Sequence, residues 1–337
     1  MSVPFIRPVR SGDFKQLREF ARTTGGGMTN LPDNDDALRA RIAKAVGSFE
    51  KRATAPGDEV YMMVLERDGE LLGTTGVFAA IGVKQGFINY KLIDEVHYSA
   101  ELERTTRRTV LMPTHDFTGS AEVGMLFVSH AARGGGWGKL LSRARYLFIA
   151  QKPEIIGERI CAELRGWRGP KGEQPFWDSV GKRFFEMDFE KADLHNAASG
   201  NQFIQDLMPR HPVYTAFLSE KARACIGKPH KSAEAAYRML LKEGFEWHAY
   251  IDIFDGGPLV DAKTDKIQTI HDSRAYRVAG FHDVRDEPET LMAAGAVSSF
   301  RCVKARARVD GKNVTISKPT AKALGVKEGD MVRSAAW

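Results

Sequence analysis

One stretch, Glu122 to Phe148, limits what this chain can fold into more than any other. Glu122-Val123-Gly124-Met125-Leu126-Phe127-Val128 reads as a strand and Arg133-Gly134-Gly135-Gly136-Trp137-Gly138 as a turn. After the turn, Leu140, Leu141, Ala144, Leu147 and Phe148 stripe one face of a helix. A strand that passes through a glycine-rich turn into an amphipathic helix is a building block of an α/β architecture. Glycine has no Cβ to keep backbone N–H groups away from a phosphate, and the helix start adds partial positive charge. Arg133 and Lys139 add full charges. The pattern is not Gly-x-x-x-x-Gly-Lys-Ser/Thr. A dinucleotide fingerprint would want Gly-x-Gly-x-x-Gly on the first βα turn, with an acidic ribose ligand about 20 residues on.

The flanking sequence supplies more of the same architecture. Phe5-Ile6-Arg7-Pro8-Val9 reads as a first strand, and Ser11 or Asp13 can cap a helix carrying Phe14, Leu17, Phe20 and Ala21, ended by Gly25-Gly26-Gly27. A second helix is expected over 34–49. Val60 to Leu65 and Leu71 to Ala79 flank Asp68-Gly69, a strong hairpin signal. Lys91 to Asp116 reads as a long polar stretch. A strand over 158–164 and a helix over 176–185 complete the unit. Farther on, Ala236, Met239 and Leu240 stripe a helix stopped by Gly244, and Phe245 to Phe254 reads as a strand running into Asp255-Gly256-Gly257-Pro258. The steps Phe176-Trp177 to Phe184-Phe185 and Ala236-Tyr237 to Gly244-Phe245 suggest a weak internal duplication. The tail, with Ala321 to Leu324 and the turn Glu328-Gly329-Asp330, reads as a small β-rich appendage. The expected boundaries are 1–195, 196–274 and 275–337.

Composition narrows the class. A length of 337 residues suits about two domains, and 43% apolar with 27% charged residues excludes a mostly disordered chain. The formal charge is 49 − 43 = +6 with no run of five like charges, which suits an anionic small ligand better than a nucleic-acid track. Cys161, Cys225 and Cys302 are too few and too scattered for a disulfide framework or a zinc site, and fit a reducing compartment. Nothing approaches about 18 consecutive apolar residues, and no secretory apolar core follows Met1. The expectation is a cytoplasmic protein with no membrane or nucleic-acid partner.

The spacing Arg-x-x-Gly-x-Gly at Arg133 to Gly138, after a strand and before a helix, resembles the acyl-CoA-binding turn of the GCN5-related N-acetyltransferase fold. Further segments, in order, are Arg7-Pro8-Val9-Arg10, Thr24 to Pro32, Asn89-Tyr90-Lys91, Asp116 to Glu122, Ala162-Glu163-Leu164-Arg165-Gly166, Pro175-Phe176-Trp177 and Tyr250 to Pro258. Together they resemble the arginine N-succinyltransferase family over about residues 3 to 274. The resemblance implies an α/β (α+β) fold of tandem acetyltransferase-like units, each a mixed, mostly antiparallel sheet flanked by helices. It implies transfer of succinyl from succinyl-CoA, a co-substrate and not a permanently bound cofactor, to the α-amine of L-arginine in arginine catabolism, with no metal. It implies a homo-oligomer, or a hetero-oligomer with a paralogous subunit. The family's succinyl-CoA contact falls on Leu126 and its proton donor on His230. The chain departs from the family around both: Ile226-Gly227-Lys228-Pro229-His230-Lys231 replaces Gly-Gln-Val-His-Pro, and Glu122-Val123-Gly124-Met125-Leu126-Phe127 replaces Glu-Leu-Cys-x-Leu-Phe.

The chemistry can be set out independently. A neutral amine attacks the thioester, backbone N–H groups on the strand Met125 to Val128 can hold the oxyanion, and a proton donor eases departure of the CoA thiolate. The candidate CoA contacts are Leu126, Phe127, Val128, Arg133, Gly134, Gly135, Gly136, Trp137, Gly138 and Lys139. By residue type, His97, His115, His130 and His211 rival His230 as the donor. Arg165 is the candidate for the succinyl carboxylate, and Asp116, Glu122 and Asp255 are candidates for the substrate guanidinium. Phe184, Phe185, Leu140, Leu141 and Leu147 are expected in the core, and Cys161 as a buried apolar residue with no nucleophilic role. The rival functions are an acyltransferase with another donor or amine, such as acetyl-CoA or ornithine, and a non-catalytic CoA-binding partner subunit.

Overall fold

A computed structural model describes residues 2–24, 28, 30–192, 195 and 202–337. The glycines expected to end the first helix, Gly25 to Gly27, lie outside the described residues, as do residues 196–201 after the boundary expected at 195. In chain order the strands are β1 (Phe5–Pro8), β2 (Val60–Arg67), β3 (Glu70–Phe78), β4 (Asn89–Ser99), β5 (Arg104–Thr114), β6 (Ala121–Val128), β7 (Arg159–Glu163) and β8 (Val213–Tyr214). They continue with β9 (Glu246–Ile251), β10 (Pro258–Lys263), β11 (Arg274–Phe281), β12 (Glu289–Ala294), β13 (Arg301–Asp310), β14 (Asn313–Ile316) and β15 (Met331–Ala336). The longer helices are α1 (Phe14–Thr23), α2 (Asp35–Glu50), α3 (Trp137–Gln151) and α4 (Glu234–Lys242). No helix among the described residues is long and apolar enough to cross a membrane.

The chain divides into two compact units that are each discontinuous in sequence. The first takes Met1–Ala80, Ala121–Ile160 and Lys263–Trp337, and the second takes Ile81–Ser120 and Cys161–Ala262. This grouping does not follow the consecutive boundaries at 195 and 274.

In the first unit β13, β1, β2, β3 and β6 lie side by side, each pair antiparallel. Asp68 and Gly69, both at positive φ, turn β2 into β3, the left-handed pair that such a two-residue hairpin needs. Along β2 the residues alternate between two covered faces. Val60, Met62 and Val64 pack with Leu17, Phe20, Leu38 and Ile42 of α1 and α2, while the Tyr61 ring meets Phe148 of α3 at 4.9 Å. Burial on both faces makes β2 read as one apolar run. The Arg7 guanidinium is buried in this unit, held by Asp13 and Glu66, so that arginine is structural. In residues 274–336, β12 pairs with β15, β15 with β11, β11 with β14, β14 with β13 and β13 again with β12, which closes a ring of strands. Its interior is filled by Val278, Met292, Val303, Val314, Ile316 and Leu324. Closure leaves the ring without an open edge.

In the second unit the order is β7, β10, β9, β4, β5, β8. The stretch read as long and polar forms the β4–β5 hairpin, in register from Asn89 opposite Thr114 to Ser99 opposite Arg104. Its outer half exposes Val96, Tyr98 and Leu102, so neither face shows the alternation of a half-buried strand. The helix expected over 176–185 is two short ones, Pro175–Ser179 and Gly181–Phe185. They fold tightly over Trp177, against whose ring a Cβ at position 181 would stand 2.3 Å away. Phe185 stacks on Trp177, but Phe184 is exposed, contrary to the expectation that both are core. Neighbouring residues on so short a helix point about 100° apart, and only one can face the core. The strand expected to reach Phe254 stops at Ile251, because the Asp252 carboxylate accepts from the N–H groups of Phe254 and Asp255 and turns the chain. Cys161 is fully buried, as an apolar residue would be.

Candidate functional site

The glycine-rich turn joins β6 to α3 in the first unit. Gly134 and Gly136 sit at φ +89° and +75°, in the left-handed region open to glycine, and Gly136 stands just before the first helical residue. A Cβ at Gly135 would lie 2.2 Å from Trp137 Nε1. Arg133 to Gly136 are exposed, and the first N–H groups of α3 have no intrahelical acceptor, so the turn presents backbone donors and a helix start to solvent. Lys139 Nζ lies 4.3 Å from the centre of the Trp337 ring and Lys304 Nζ 4.7 Å from it. No spacing signal in the sequence could have brought Trp337 to this turn.

Directly upstream, β6 is bulged. Gly73 and Thr74 of β3 face Val128 and Phe127, and Gly76 faces Gly124, so the single residue Thr75 stands opposite both Met125 and Leu126. Met125 is at φ +56°. A bulge leaves one residue outside the ladder, which frees a backbone donor on the segment expected to hold the oxyanion. Leu126, Phe127 and Val128 are half-buried beside it. The close packing of β3 on β6 needs glycine at position 73, where a Cβ would fall 2.4 Å from the Phe127 carbonyl oxygen.

Glu122, on the same strand, is buried. It accepts a 3.4 Å hydrogen bond from Asn30 Nδ2 and feels the charge of Arg41. Burial outweighs both and pushes its carboxyl from 4.5 up to about 7. Between those values the folded chain holds a proton that the unfolded chain has lost. The stability this group allows is therefore full below about pH 4.5 and falls as pH rises through about 7. Glu122→Gln, which cannot ionise, is expected to flatten that decline, and denaturant midpoints at about pH 5 and about pH 8 would measure it.

In the second unit a short antiparallel ribbon holds His230. The His230 N–H donates to the Arg165 carbonyl at 2.7 Å, the Trp167 N–H donates to the Lys228 carbonyl at 3.0 Å, and Gly166 bridges Pro229. On the ring, Nδ1 lies 3.2 Å from the Ser232 N–H and 2.8 Å from Ser232 Oγ. A backbone N–H can only donate, so Nδ1 is the acceptor and the neutral ring carries its proton on Nε2. Beneath the ribbon, the Asp255 carboxylate accepts from the Gly166 N–H at 2.7 Å and the Gly257 N–H at 2.9 Å, with Arg165 as a nearby charge. Burial raises both Asp252 and Asp255. Asp252 is raised the further because it faces Asp255, whose backbone donors favour its ionised form. This unit thus brings His230, Arg165 and Asp255 together. Asp116 stands apart from them, exposed, its carboxylate accepting from the Tyr250 hydroxyl at 2.6 Å, and Lys91 Nζ lies 3.1 Å from that hydroxyl. Of the rival histidines, His97 is exposed beside Glu95, and His115, His130 and His211 are exposed as well. The sequence reading missed Ser232, Asn30 and Arg41. Ser232 could have been found from its place two residues after His230.

Known proteins resemble this chain over nearly all of its length. Residues 4–269 match the family described as arginine N-succinyltransferase beta subunit, and residues 274–336 match the one described as its C-terminal domain. The chain is 39% identical over 330 residues to the arginine N-succinyltransferase subunit beta of Pseudomonas aeruginosa, covering 98% of this chain and 97% of that protein. It is 39% identical over 331 residues to the arginine N-succinyltransferase of Salmonella schwarzengrund, covering 97% and 96%. The structure is similar to that of the arginine/ornithine succinyltransferase subunit AI from Pseudomonas aeruginosa, with a TM-score of 0.90 and 32% identity over 100% of this chain and 99% of that one. With sequence and fold agreeing over that span, the chain belongs to the arginine N-succinyltransferase family.

Proposed function

We propose that this protein transfers the succinyl group of succinyl-CoA to the α-amine of L-arginine by direct attack, with no covalent enzyme intermediate and no permanently bound cofactor. The observation that carries this reading within the family is His230, whose ring is held so that Nε2–H is the free donor. In the first unit the turn Arg133 to Lys139 takes the CoA phosphates, and the bulged strand with Leu126, Phe127 and Val128 takes the thioester, whose oxyanion accepts from the freed backbone N–H. The α-amine, neutral in part near pH 8, attacks the carbonyl carbon. As the C–S bond breaks, Nε2 of His230 gives its proton to the thiolate while the ring regains the proton that the attacking nitrogen loses on becoming the amide, so the products are succinylarginine and free CoA thiol. Arg165 is assigned to the succinyl carboxylate. For the guanidinium, exposed Asp116 suits better than Glu122, whose charge burial suppresses near neutral pH. We read residues 1–195 and 196–274 as related acetyltransferase-like units, followed by a β-rich appendage over 275–337. The relatives are named as subunits, which supports an oligomer, either of this chain alone or with a paralogous subunit.

Ornithine is the second acceptor to consider, because the name of the solved neighbour joins it to arginine. Mass spectrometry of products from succinyl-CoA and an amino-acid mixture, with thiol release followed in parallel for acetyl- and glutaryl-CoA, tests the assignment. Succinylarginine is expected as the main product, and equal or faster turnover with acetyl-CoA would overturn the succinyl reading.

A further inference from the structure

The turn from Asp252 to Gly257 holds both strands of the ribbon that carries His230. On one side the Asp255 carboxylate accepts from the Gly166 N–H at 2.7 Å. On the other the Gly256 carbonyl accepts from the Gly227 N–H at 2.8 Å, just ahead of His230. Turn and ribbon meet backbone to backbone, for a Cβ at Gly166 or Gly257 would strike the main chain of the opposite segment. A shift of the turn is therefore a shift of the ribbon and of the imidazole on it.

Two carboxyl groups lie inside this turn. Asp252 Oδ1 accepts from the Phe254 and Asp255 N–H groups at 2.7 and 2.9 Å, while the two oxygens of Asp255 take the N–H groups of Gly166 and Gly257. The two side chains also hydrogen bond to each other. Two carboxylates have only lone pairs to offer, so a bond between them requires a proton on one of the pair. Arg165 stands beside Asp255 and favours its charge, which leaves the proton on Asp252. The other titratable group facing the pair is the Cys225 thiol, at the end of the short helix Glu220–Cys225, with Lys228 beyond it. Burial and the charge of Asp255 push that thiol up, so it stays neutral and adds no charge of its own. Without the proton, two negative charges in one buried turn would repel each other and loosen the hold on Gly166 and Gly227.

We propose that Asp252 is a positioning residue for His230: its carboxylic acid donates to Asp255, and the turn closed in this way fixes the ribbon that orients the imidazole. The inference deepens the succinyl-transfer reading above, and its kinetic consequences rest on that reading.

The test compares Asp252→Asn and Asp252→Ala in the full chain. The amide of Asp252→Asn keeps both roles of the acid, an oxygen for the backbone N–H groups and an N–H for Asp255. Near neutral pH it is expected to keep kcat within about twofold of the parent, whereas Asp252→Ala is expected to lose about tenfold in kcat with KM for succinyl-CoA within about twofold. The infrared difference between the parent and Asp252→Asn at neutral pH is expected to show the carbonyl band of a protonated carboxyl, which an ionised Asp252 does not give. Absence of that band would overturn the proposal. So would a loss of kcat in Asp252→Asn as large as in Asp252→Ala, parental kcat in Asp252→Ala, or a rise in KM that matches the fall in kcat. Should Asp252→Ala fail to fold by circular dichroism, Asp255→Asn cuts the same link, because its amide nitrogen must face an N–H donor, and parental kcat there would overturn the proposal equally. Failure of the parent protein to form succinylarginine would instead sink the functional reading, and the infrared band would still decide where the proton sits.

Discussion

His230→Ala is expected to lower kcat for succinyl transfer to arginine by about 10²- to 10³-fold while leaving KM for succinyl-CoA within a few-fold. The reason lies in how the ring is tied. The backbone N–H of Ser232 fixes the acceptor role on Nδ1, so Nε2 is the nitrogen with a proton to give. The main chain of His230 is anchored on the Arg165 carbonyl, so the imidazole is held on a paired ribbon and not on a free loop. Removing the ring leaves that ribbon bonded and the turn proposed for the CoA phosphates untouched, which is why the loss should appear in kcat and not in donor binding. His230→Gln offers an amide N–H but no proton to transfer, and should fall as far. If His230→Ala instead kept full kcat, the thiolate would have to leave without this donor, and the role assigned to His230 would be wrong.

Gly166→Ala is expected to destabilise the fold by about 2–3 kcal/mol, or roughly 5–10 °C in the unfolding midpoint, and to reduce activity as well. A Cβ at this position would lie 2.5 Å from the carbonyl oxygen of Asp255 and 2.7 Å from the Gly257 nitrogen. Both contacts are to backbone, which cannot swing aside as the end of a long side chain can. Relief requires the ribbon to part from the Asp255 turn. That would break the bond from the Gly166 N–H to a buried carboxylate and shift the strand on which Arg165 anchors His230. Thermal unfolding gives the first effect and turnover below the transition gives the second. An alanine variant as stable and as active as the parent would show that the turn gives way at little cost. Gly257 is under the same constraint, its Cβ falling 2.1 Å from the Leu164 carbonyl oxygen. The segments Leu164-Arg165-Gly166 and Asp255-Gly256-Gly257-Pro258 therefore carry glycines because two backbones meet there.

What could be read from the residues was what is local. Asp68-Gly69 specifies a left-handed two-residue turn, and the apolar run on either side of it specifies the hairpin. The stripe from Leu140 to Phe148 repeats at helical spacing, and the helix follows. The turn before it is written in its glycines. The β4–β5 hairpin was not legible because its outer half is solvated on both faces and leaves no pattern. Phe184 was misread because a pair of adjacent aromatics on a short helix cannot share one face.

The sequence by itself determined the strand, turn and helix proposed to take the CoA phosphates, and, through its resemblance to a family, the histidine to look at. Only the tertiary structure decided how these are completed. It placed Trp337 at the turn, the Ser232 N–H on the His230 ring, the Asp255 carboxylate under Gly166, and Arg41 with Asn30 around Glu122. Turns and helices are set by torsions and spacing over a few residues. Each of the other contacts except Ser232 on His230 joins residues far apart in the chain, and depends on strand register and on close backbone approach, which no spacing in the sequence encodes.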